Sequence, residues 1–168
     1  IRPGDPFQIN SFFPTRIFLN MRPMLLSDLD AVVRIEEVSF PSPWSRELFE
    51  VELKRSMARY FVADRDGEVL GYLGYWEVPQ EAHLITLAVS PRARRQGVAR
   101  AILQFGMEKA KGDGAILATL EVRISNEAGK ALYEGAGFRP VAIRKKYYQD
   151  NQEDAVVMIR ELDSSEEI

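Results

Sequence analysis

Residues 90–103, with the sequence SPRARRQGVARAIL, combine four arginines with one glycine between a proline and an apolar run. Two kinds of chemistry fit this stretch: a basic patch that binds nucleic acid, or a loop that holds a phosphate. The order of the elements favours the second, because HLITLAV at 83–89 predicts a strand and the apolar spacing after Gly97 predicts a helix. The first backbone N–H groups of such a helix have no intrahelical partners and bind anions. An exposed basic loop with a glycine turn is the alternative interpretation.

The rest of the chain supplies the elements that must position this loop. Ser27 and Ser45 are candidate N-caps of two helices that are separated by the proline-containing stretch FPSPWS at 40–45. Asp66-Gly67, between two apolar runs, predicts a hairpin. In chain order we expect a strand over 17–24, two helices, a three-strand meander, a helix, a strand, a helix and two final strands. That order predicts a mixed α/β fold with a central sheet, HLITLAV near its middle, and helices on both faces.

Length and composition limit the classes of function. The chain has 168 residues, so we expect one domain over 17–162, an irregular N-terminal extension at 1–16 and an acidic tail at 163–168. A net charge of −3 argues against a protein that coats nucleic acid. The absence of cysteine excludes disulfides, thiolate metal sites and a cysteine nucleophile. With a single histidine, no membrane-length apolar run and no pattern typical of a secretory signal, we expect a cytoplasmic protein that uses no metal, no membrane and no direct nucleic-acid contact.

The segment LAVSPRARRQGVARAIL resembles the acetyl-CoA signature of the GNAT N-acetyltransferases, Q/R-x-x-G-x-G/A, with Arg94, Gly97 and Ala99 in the defined positions. The resemblance implies a mostly antiparallel central sheet with a splayed central strand pair, and acetyl-CoA as co-substrate. Backbone amides of the loop would hold the pyrophosphate, and the arginines would be auxiliary. The cofactor-binding residues that it implies are Leu87, Ala88, Val89, Arg94, Arg95, Gln96, Gly97, Val98, Ala99, Arg100, Asn126 and Tyr133.

A second stretch, LEVRISNEAGKALYEGAGF at 120–138, is similar to the second signature of the protein N-terminal acetyltransferases. FPSPWS is similar to the substrate loop of RimI-like ribosomal-protein acetyltransferases, and His83 to a residue of the archaeal N-terminal acetyltransferase catalytic subunits. Those archaeal relatives tend to carry an acidic residue inside the substrate loop, where this chain has Ser42. The resemblance implies an enzyme, monomeric or weakly dimeric, whose substrate is a protein or peptide N-terminus, with a ribosomal protein among the candidates.

Glu121 is the best candidate for the general base, because partial burial between Leu120 and Val122 would raise its pKa toward a useful value. A strand carboxylate paired with an arginine such as Arg123, or facing water, is the alternative. Tyr133 is the candidate acid that protonates the leaving thiolate, against the alternative of an ordinary core aromatic residue. Asn126 is a candidate N-cap that, by resemblance, also contacts CoA.

His83 is either a structural residue at a strand edge or, by resemblance, a second base that acts through water. Two walls of a peptide site are expected around these groups. Tyr147 and Tyr148 would form one wall, unless they only pack across two strands. The other wall would consist of residues that otherwise fix the corner between two helices: Phe40, Pro41 and Trp44.

Without a cysteine, direct attack by the amine is the simplest mechanism. An α-amine with a pKa of about 8 is neutral in about a tenth of molecules at pH 7, far more often than a lysine amine with a pKa of about 10.4. Protein N-terminal acetylation is therefore the leading hypothesis. Its alternatives are a GNAT enzyme that acetylates lysine or a small amine, a CoA-binding module without turnover, and a nucleic-acid binder that uses the arginines.

Overall fold

The computed structural model describes residues 18–162, so the expected extension at 1–16 and the acidic tail lie outside the described residues. The described chain contains seven strands and four helices in the expected order. The strands are β1 (Asn20–Pro23), β2 (Ala58–Arg65), β3 (Glu68–Val78), β4 (Glu81–Val89), β5 (Leu117–Arg123), β6 (Arg139–Arg144) and β7 (Ala155–Glu161). The helices are α1 (Leu29–Ser39), α2 (Arg46–Leu53), α3 (Val98–Gly112) and α4 (Glu127–Gly135). No helix within 18–162 is long and apolar enough to cross a membrane.

The seven strands form one sheet in the order β1-β2-β3-β4-β5-β7-β6. Only β4 and β5 are parallel, and the other neighbouring pairs are antiparallel. A parallel pair needs a crossover connection, which α3 provides between these two strands. The sheet is therefore mostly antiparallel, as the family resemblance implied, with β4 at its centre, as the sequence pattern predicted.

Each face of the sheet is covered by helices, which explains why several strands are apolar on both sides. On one face, α3 buries Ile102, Leu103 and Met107 against the sheet, and α4 packs beside it. On the opposite face, α1 and α2 bury a second cluster that includes Leu29 and Phe49. The expected helices on both faces are confirmed.

Of the two serine caps predicted for the first two helices, the structure confirms one. Ser45 caps α2 as expected, because its Oγ accepts a hydrogen bond from the Leu48 N–H at 3.2 Å. Ser27 does not cap α1, which begins at Leu29 after a short 3-10 turn. Asp28, the residue before α1, makes no side-chain cap to that helix either; its carboxylate accepts from the Leu25 N–H at the start of the 3-10 turn at 2.8 Å and pairs with the Arg22 guanidinium at 2.7 Å. An ionised acceptor that also has a charged partner is stronger than a serine hydroxyl.

The β2–β3 hairpin turns at Asp66 and Gly67, which have φ angles of 52° and 85°. Two successive positive φ angles are the conformation that an Asp-Gly hairpin turn requires. The predicted hairpin is confirmed.

Gly106 lies where α3 crosses β3, and a Cβ there would overlap Leu73 Cδ2. Because Leu73 is fully buried, we expect Gly106→Ala to lower the free energy of unfolding by about 1–3 kcal/mol despite the better helix propensity of alanine. Urea denaturation measures this change. Gly112→Ala is the control, since a Cβ at this other α3 glycine meets nothing within 4 Å. Equal stability of the two variants would contradict the close packing.

Candidate active site

The parallel strands β4 and β5 separate soon after they begin. Their pairing covers three residue pairs, which run from Glu81–Leu117 to His83–Thr119. Beyond His83, the edge of β4 has no register with β5 and faces a gap at the centre of the sheet. The splayed strand pair that the family resemblance implied is present.

A β-bulge in β4 follows this point of separation. Thr86 lies opposite Gly74 and Leu84 lies opposite Tyr75, so Ile85 has no partner on β3. A bulge increases the local twist of a strand and re-aims the side chains that follow. After the bulge, Leu87 joins the cluster under α3 and Ala88 the cluster under α1 and α2.

The loop after β4 leads into the N-terminus of α3 through left-handed backbone. Arg95 has a φ angle of 60°, and Gly97, the N-cap residue, has a φ angle of 81°. A cavity of about 250 Å³ lies here. It is lined by Val89, Ala93, Arg94, Arg95, Gly97, Val98, Ala99, Arg100 and Leu132. Unpaired N–H groups and the positive end of the helix dipole are features that favour an anion in this cavity.

The arginines of this loop do not act alike. The Arg94 side chain is hydrogen-bonded to other parts of the protein: its Nε donates to the Val89 carbonyl at 3.2 Å and its Nη2 to Ser39 Oγ at 3.3 Å. Arg92 pairs with Glu68 on β3. Arg95 and Arg100 line the cavity together with Arg94, whose side chain is held by the two hydrogen bonds just given. The loop conformation and the side chains of Arg95 and Arg100 are therefore the features that we expect to meet an anion.

Other expected cofactor residues take defined positions around the loop. Val98 is 1% exposed, so it presents only its backbone to a ligand, and Ala99 is partly buried. Gln96 donates from Nε2 to the Arg92 carbonyl at 3.1 Å, which folds its side chain back on the loop. Asn126 caps α4, accepting from the Gly129 N–H at 2.8 Å, so its predicted N-cap role is confirmed.

His83 and Glu121 meet where β4 and β5 part. His83 Nε2 lies 2.7 Å from Glu121 Oε2, and the Arg144 guanidinium lies 3.8 Å from Glu121 Oε1. Alternation along β5 places Glu121 on the face opposite its buried neighbours under α3. The Glu121 side chain is 10% exposed and that of His83 29%, so the pair is shielded but reachable. The arginine partner of Glu121 is Arg144, because Arg123, suggested from the sequence, pairs with Asp150 at 2.7 Å.

The expectation that burial would give Glu121 a raised pKa is wrong. Burial does act in that direction, but the hydrogen bond and charge of His83, together with the charge of Arg144, outweigh it and hold the pKa of Glu121 below its usual value. The same hydrogen bond to Glu121 raises the pKa of His83. The carboxylate is thus a weak base on its own, and the imidazole is the group of the pair that exchanges a proton near neutral pH.

Tyr133 packs at the edge of the cluster under α3, with its ring 5.9 Å from that of Phe138. Burial raises its pKa above the ordinary value of tyrosine, and the nearby Tyr148 adds to this effect. Proton transfer from a tyrosine to a thiolate whose thiol has a pKa near 8.5 is uphill, and a raised pKa of Tyr133 adds to that cost. The role of Tyr133 as the acid stays a prediction, and hydrogen-bond donation by its hydroxyl carries no such cost.

Two loops flank the His83–Glu121 pair on the α1/α2 side. Loop 40–45, which holds Phe40, Pro41 and Trp44, connects α1 to α2, and Phe40 and Trp44 pack partly on the second core cluster. Tyr147 and Tyr148 lie in the loop after β6, which ends at Arg144. The alternative in which they only pack across two strands is wrong, because β6 ends before them and the chain turns at Lys146 with a φ angle of 52°.

A polar bridge joins these two loops. Ser42 Oγ donates to Asp150 Oδ2 at 3.2 Å, and Asp150 also accepts from both terminal nitrogens of Arg123. The Arg123 guanidinium stacks over the Tyr148 ring, 4.0 Å from its centre. Tyr147 packs edge-on against Tyr148, with ring centres 5.1 Å apart. The structure therefore brings the two expected walls of a peptide site together.

Sequence reasoning missed three residues of this site. Arg144 and Asp150 flank the tyrosines in the sequence, so a charged residue beside each end of that loop was the available signal. Trp76 lies opposite His83 on β3, with ring centres 6.4 Å apart. Nothing in the local sequence singles it out, because its partner is defined by strand register. No group of three or more potential metal ligands occurs within 18–162.

Comparison with known proteins matches this geometry. The sequence profile of the acetyltransferase (GNAT) family matches residues 29–138. A Bacillus subtilis (strain 168) protein, assigned as a candidate ribosomal protein bS18-alanine N-acetyltransferase, is 40% identical over 139 residues, which cover 82% of this chain and 92% of that protein. The N-alpha-acetyltransferase of Sulfurisphaera tokodaii is 34% identical over 146 residues, 79% of this chain and 87% of that protein.

Among solved structures, the ribosomal-protein-S18-alanine N-acetyltransferase from Escherichia coli is similar to this fold. It has a TM-score of 0.79 and 31% sequence identity over 89% of this chain and 98% of that chain. The acetyltransferases of this fold use acetyl-CoA. With a family match over more than half of its length and these relatives, the chain belongs to the acetyltransferase (GNAT) family.

Proposed function

We infer that this protein is an acetyl-CoA-dependent acetyltransferase that acts on the α-amino group of protein N-termini. The observation that carries the inference is the His83–Glu121 pair, which lies at the point where β4 and β5 part. From that point β4 continues into the loop that lines the cavity. The loops that we assign to the peptide are joined by the bridge between Ser42 and Asp150. The relatives named as N-acetyltransferases of proteins support the same substrate class.

The residues on the cofactor side fit the phosphates of acetyl-CoA. Gly97 leaves open space where a side chain would stand, and the α3 N-terminus supplies unpaired N–H groups beside it. We assign the pyrophosphate to the backbone of 95–99, with Arg95 and Arg100 adding charge. The free edge of β4 at Leu87–Val89 is assigned to the pantetheine arm, whose amides pair with backbone groups.

The chemistry needs a neutral amine at the gap. The amine nitrogen forms a bond to the acetyl carbonyl carbon, the carbon–sulfur bond breaks, and one proton leaves the nitrogen. We assign acceptance of that proton to His83, directly or through one water, while the Glu121 carboxylate balances the imidazolium charge. Tyr133 is assigned as a hydrogen-bond donor to the departing sulfur, with Asn126 nearby at the start of α4.

The peptide would lie between the bridged loops. Aromatic and proline side chains form apolar walls for the first residues of the substrate. The lining that we assign to this groove comprises Phe40, Pro41, Trp44, Tyr147 and Tyr148. A ribosomal protein is the first substrate to test, and we propose a cytoplasmic location in which newly made proteins expose their N-termini.

The direct test is acetyl transfer from acetyl-CoA to peptides with matched free and blocked N-termini. Each pair should include one peptide that begins with the N-terminal sequence of ribosomal protein S18 from the same organism. We expect transfer to the free N-terminus and none to the blocked one. Transfer to an internal lysine of the blocked peptide would instead favour the lysine-specific alternative, and binding of acetyl-CoA without any transfer the non-catalytic one.

His83 is the single histidine of the chain, so its imidazole resonance can be followed without assignment. Because the Glu121 hydrogen bond raises the pKa of His83, we expect a value above about 6.5 in the wild type. In Glu121→Gln the pKa should fall to or below that value, since the negative partner is gone and burial then acts alone. NMR titration of the imidazole C–H signals measures both values. The same value in both proteins would contradict the pairing.

The pH dependence of the activity should follow the titration of His83. As pH rises through the raised pKa of His83, the imidazole becomes able to accept a proton, so kcat/KM for the peptide rises. The substrate amine, with a pKa near 8, contributes in the same direction. While Glu121 stays ionised, the stability that His83 gains from this ion pair is fully present below the unfolded-state pKa of His83 and is lost as pH rises through its raised folded-state pKa.

A further inference from the structure

Glu36 is a buried carboxyl group that the proposed chemistry does not use. It lies near the end of α1 and is 2% exposed. Its Oε1 accepts a hydrogen bond from the backbone N–H of Trp44 at 3.1 Å, and its Oε2 accepts from the Tyr72 hydroxyl. Burial raises the pKa of Glu36, and those two hydrogen bonds act against the rise. Both oxygens therefore have a defined partner.

The same residue holds both ends of loop 40–45. The Glu36 carbonyl accepts from the Phe40 N–H at 3.1 Å, where the loop begins, and the carboxyl group holds the Trp44 N–H, where it ends. Two of the intervening residues, Pro41 and Pro43, have no N–H to donate. The loop thus has few backbone donors of its own, and its geometry depends on this one side chain.

The carboxyl group also ties the loop to the sheet. Tyr72 is fully buried in β3, and its hydroxyl also contacts Thr86 on β4, beyond the bulge. Trp44 packs on Phe49 of α2, with ring centres 5.3 Å apart. The position of the Trp44 side chain relative to β4 is therefore set through Glu36 and Tyr72.

We propose that Glu36 is a positioning residue that fixes loop 40–45 in its peptide-binding conformation. This inference rests on the proposed function, because the loop is assigned there as one wall of the peptide groove. Glu36 touches neither substrate, so its loss should weaken peptide binding and leave acetyl-CoA binding intact. A purely structural carboxyl group would lower stability and affect both substrates alike.

The test compares Glu36→Leu with Glu36→Gln. Leucine fills the volume but removes both hydrogen bonds, whereas glutamine keeps an oxygen for the Trp44 N–H and an amide that donates to the Tyr72 oxygen. We expect Glu36→Leu to raise the peptide KM at least tenfold while the acetyl-CoA Kd stays within twofold. Glu36→Gln should restore the peptide KM to within threefold of the wild type. The destabilising control is Asp64→Asn, which breaks an ion pair between β2 and Arg22 of β1 and should leave both constants within twofold.

Hydrogen exchange of the Trp44 amide provides a readout without turnover. Protection should fall in Glu36→Leu and persist in Glu36→Gln. Lost protection with an unchanged peptide KM overturns the proposal, as does a loss of acetyl-CoA affinity equal to the loss of peptide affinity. Failure of the proposed function is seen separately and first, as a wild-type protein that acetylates no free N-terminus.

Discussion

Glu121→Gln is expected to lower kcat for peptide acetylation by about 10²- to 10⁴-fold, the range that a positioned acid–base group contributes. The neutral amide keeps the shape of the side chain but no longer stabilises a positive imidazole at 2.7 Å. His83 then holds the substrate proton less well as the reaction proceeds. The acetyl-CoA Kd should stay within about twofold, because the substitution touches none of the residues that line the phosphate cavity. Steady-state kinetics and calorimetric titration measure the two effects.

Two comparisons make this first prediction specific. Glu81→Gln removes a carboxylate of β4 that accepts from Thr119 Oγ1 at 2.9 Å and acts on the pKa of His83 less than Glu121 does. Its kcat should stay within about threefold of the wild type. His83→Gln should lose about as much as Glu121→Gln, and the double variant little more, since residues that act as a unit are not additive. Fully multiplicative losses would argue against a shared proton.

Gly97→Val is expected to weaken acetyl-CoA binding by at least tenfold. The residue has a φ angle of 81°, where a β-branched side chain costs about 1–2 kcal/mol. Its Cβ would meet no protein atom within 4 Å. The new side chain therefore stands in the open space that a phosphate needs to reach the loop amides. Calorimetric titration with acetyl-CoA measures the loss.

A valine substitution at a second glycine distinguishes the effect of backbone strain from the effect of blocked space. Gly114 has a φ angle of 103°, and its Cβ would also meet nothing within 4 Å, but it lies past the C-terminus of α3. Gly114→Val should lower stability to a similar extent and leave the acetyl-CoA Kd unchanged. Arg92→Ala should also have a smaller effect than Gly97→Val, since Arg92 pairs with Glu68. A larger loss of acetyl-CoA affinity in Arg92→Ala than in Gly97→Val would indicate that the arginines dominate acetyl-CoA binding.

The elements that could be predicted from the sequence are those with local causes. Element order follows from apolar periodicity, the hairpin from Asp66-Gly67, and the α2 cap from Ser45. The loop to which we assign the phosphates could be predicted as a strand-to-helix connection, because a strand, a glycine and a helix follow one another directly. The predicted Ser27 cap of α1 was wrong, because the chain enters that helix through a 3-10 turn whose first N–H is bound by Asp28, which is paired with an arginine six residues earlier.

The electrostatics of the site could not be predicted, because they depend on contacts distant in sequence. His83 is 38 residues from Glu121 and reaches it only through the register of a parallel strand pair. The pKa of Glu121 therefore moved in the direction opposite to that expected from burial alone. Asp150 likewise meets Ser42 across 108 residues, a contact that no local pattern indicates.

The gap between β4 and β5 also makes folding stability depend on the co-substrate. Past the bulge at Ile85, the central sheet lacks one row of backbone partners that two closed strands would supply. The pantetheine arm that we assign to this edge of β4 would complete that row only in the folded state. Thermal unfolding should therefore shift upward with acetyl-CoA concentration, by an amount that corresponds to about 2.7 kcal/mol at a hundred times the Kd. The protein would thus be more stable when its co-substrate is abundant.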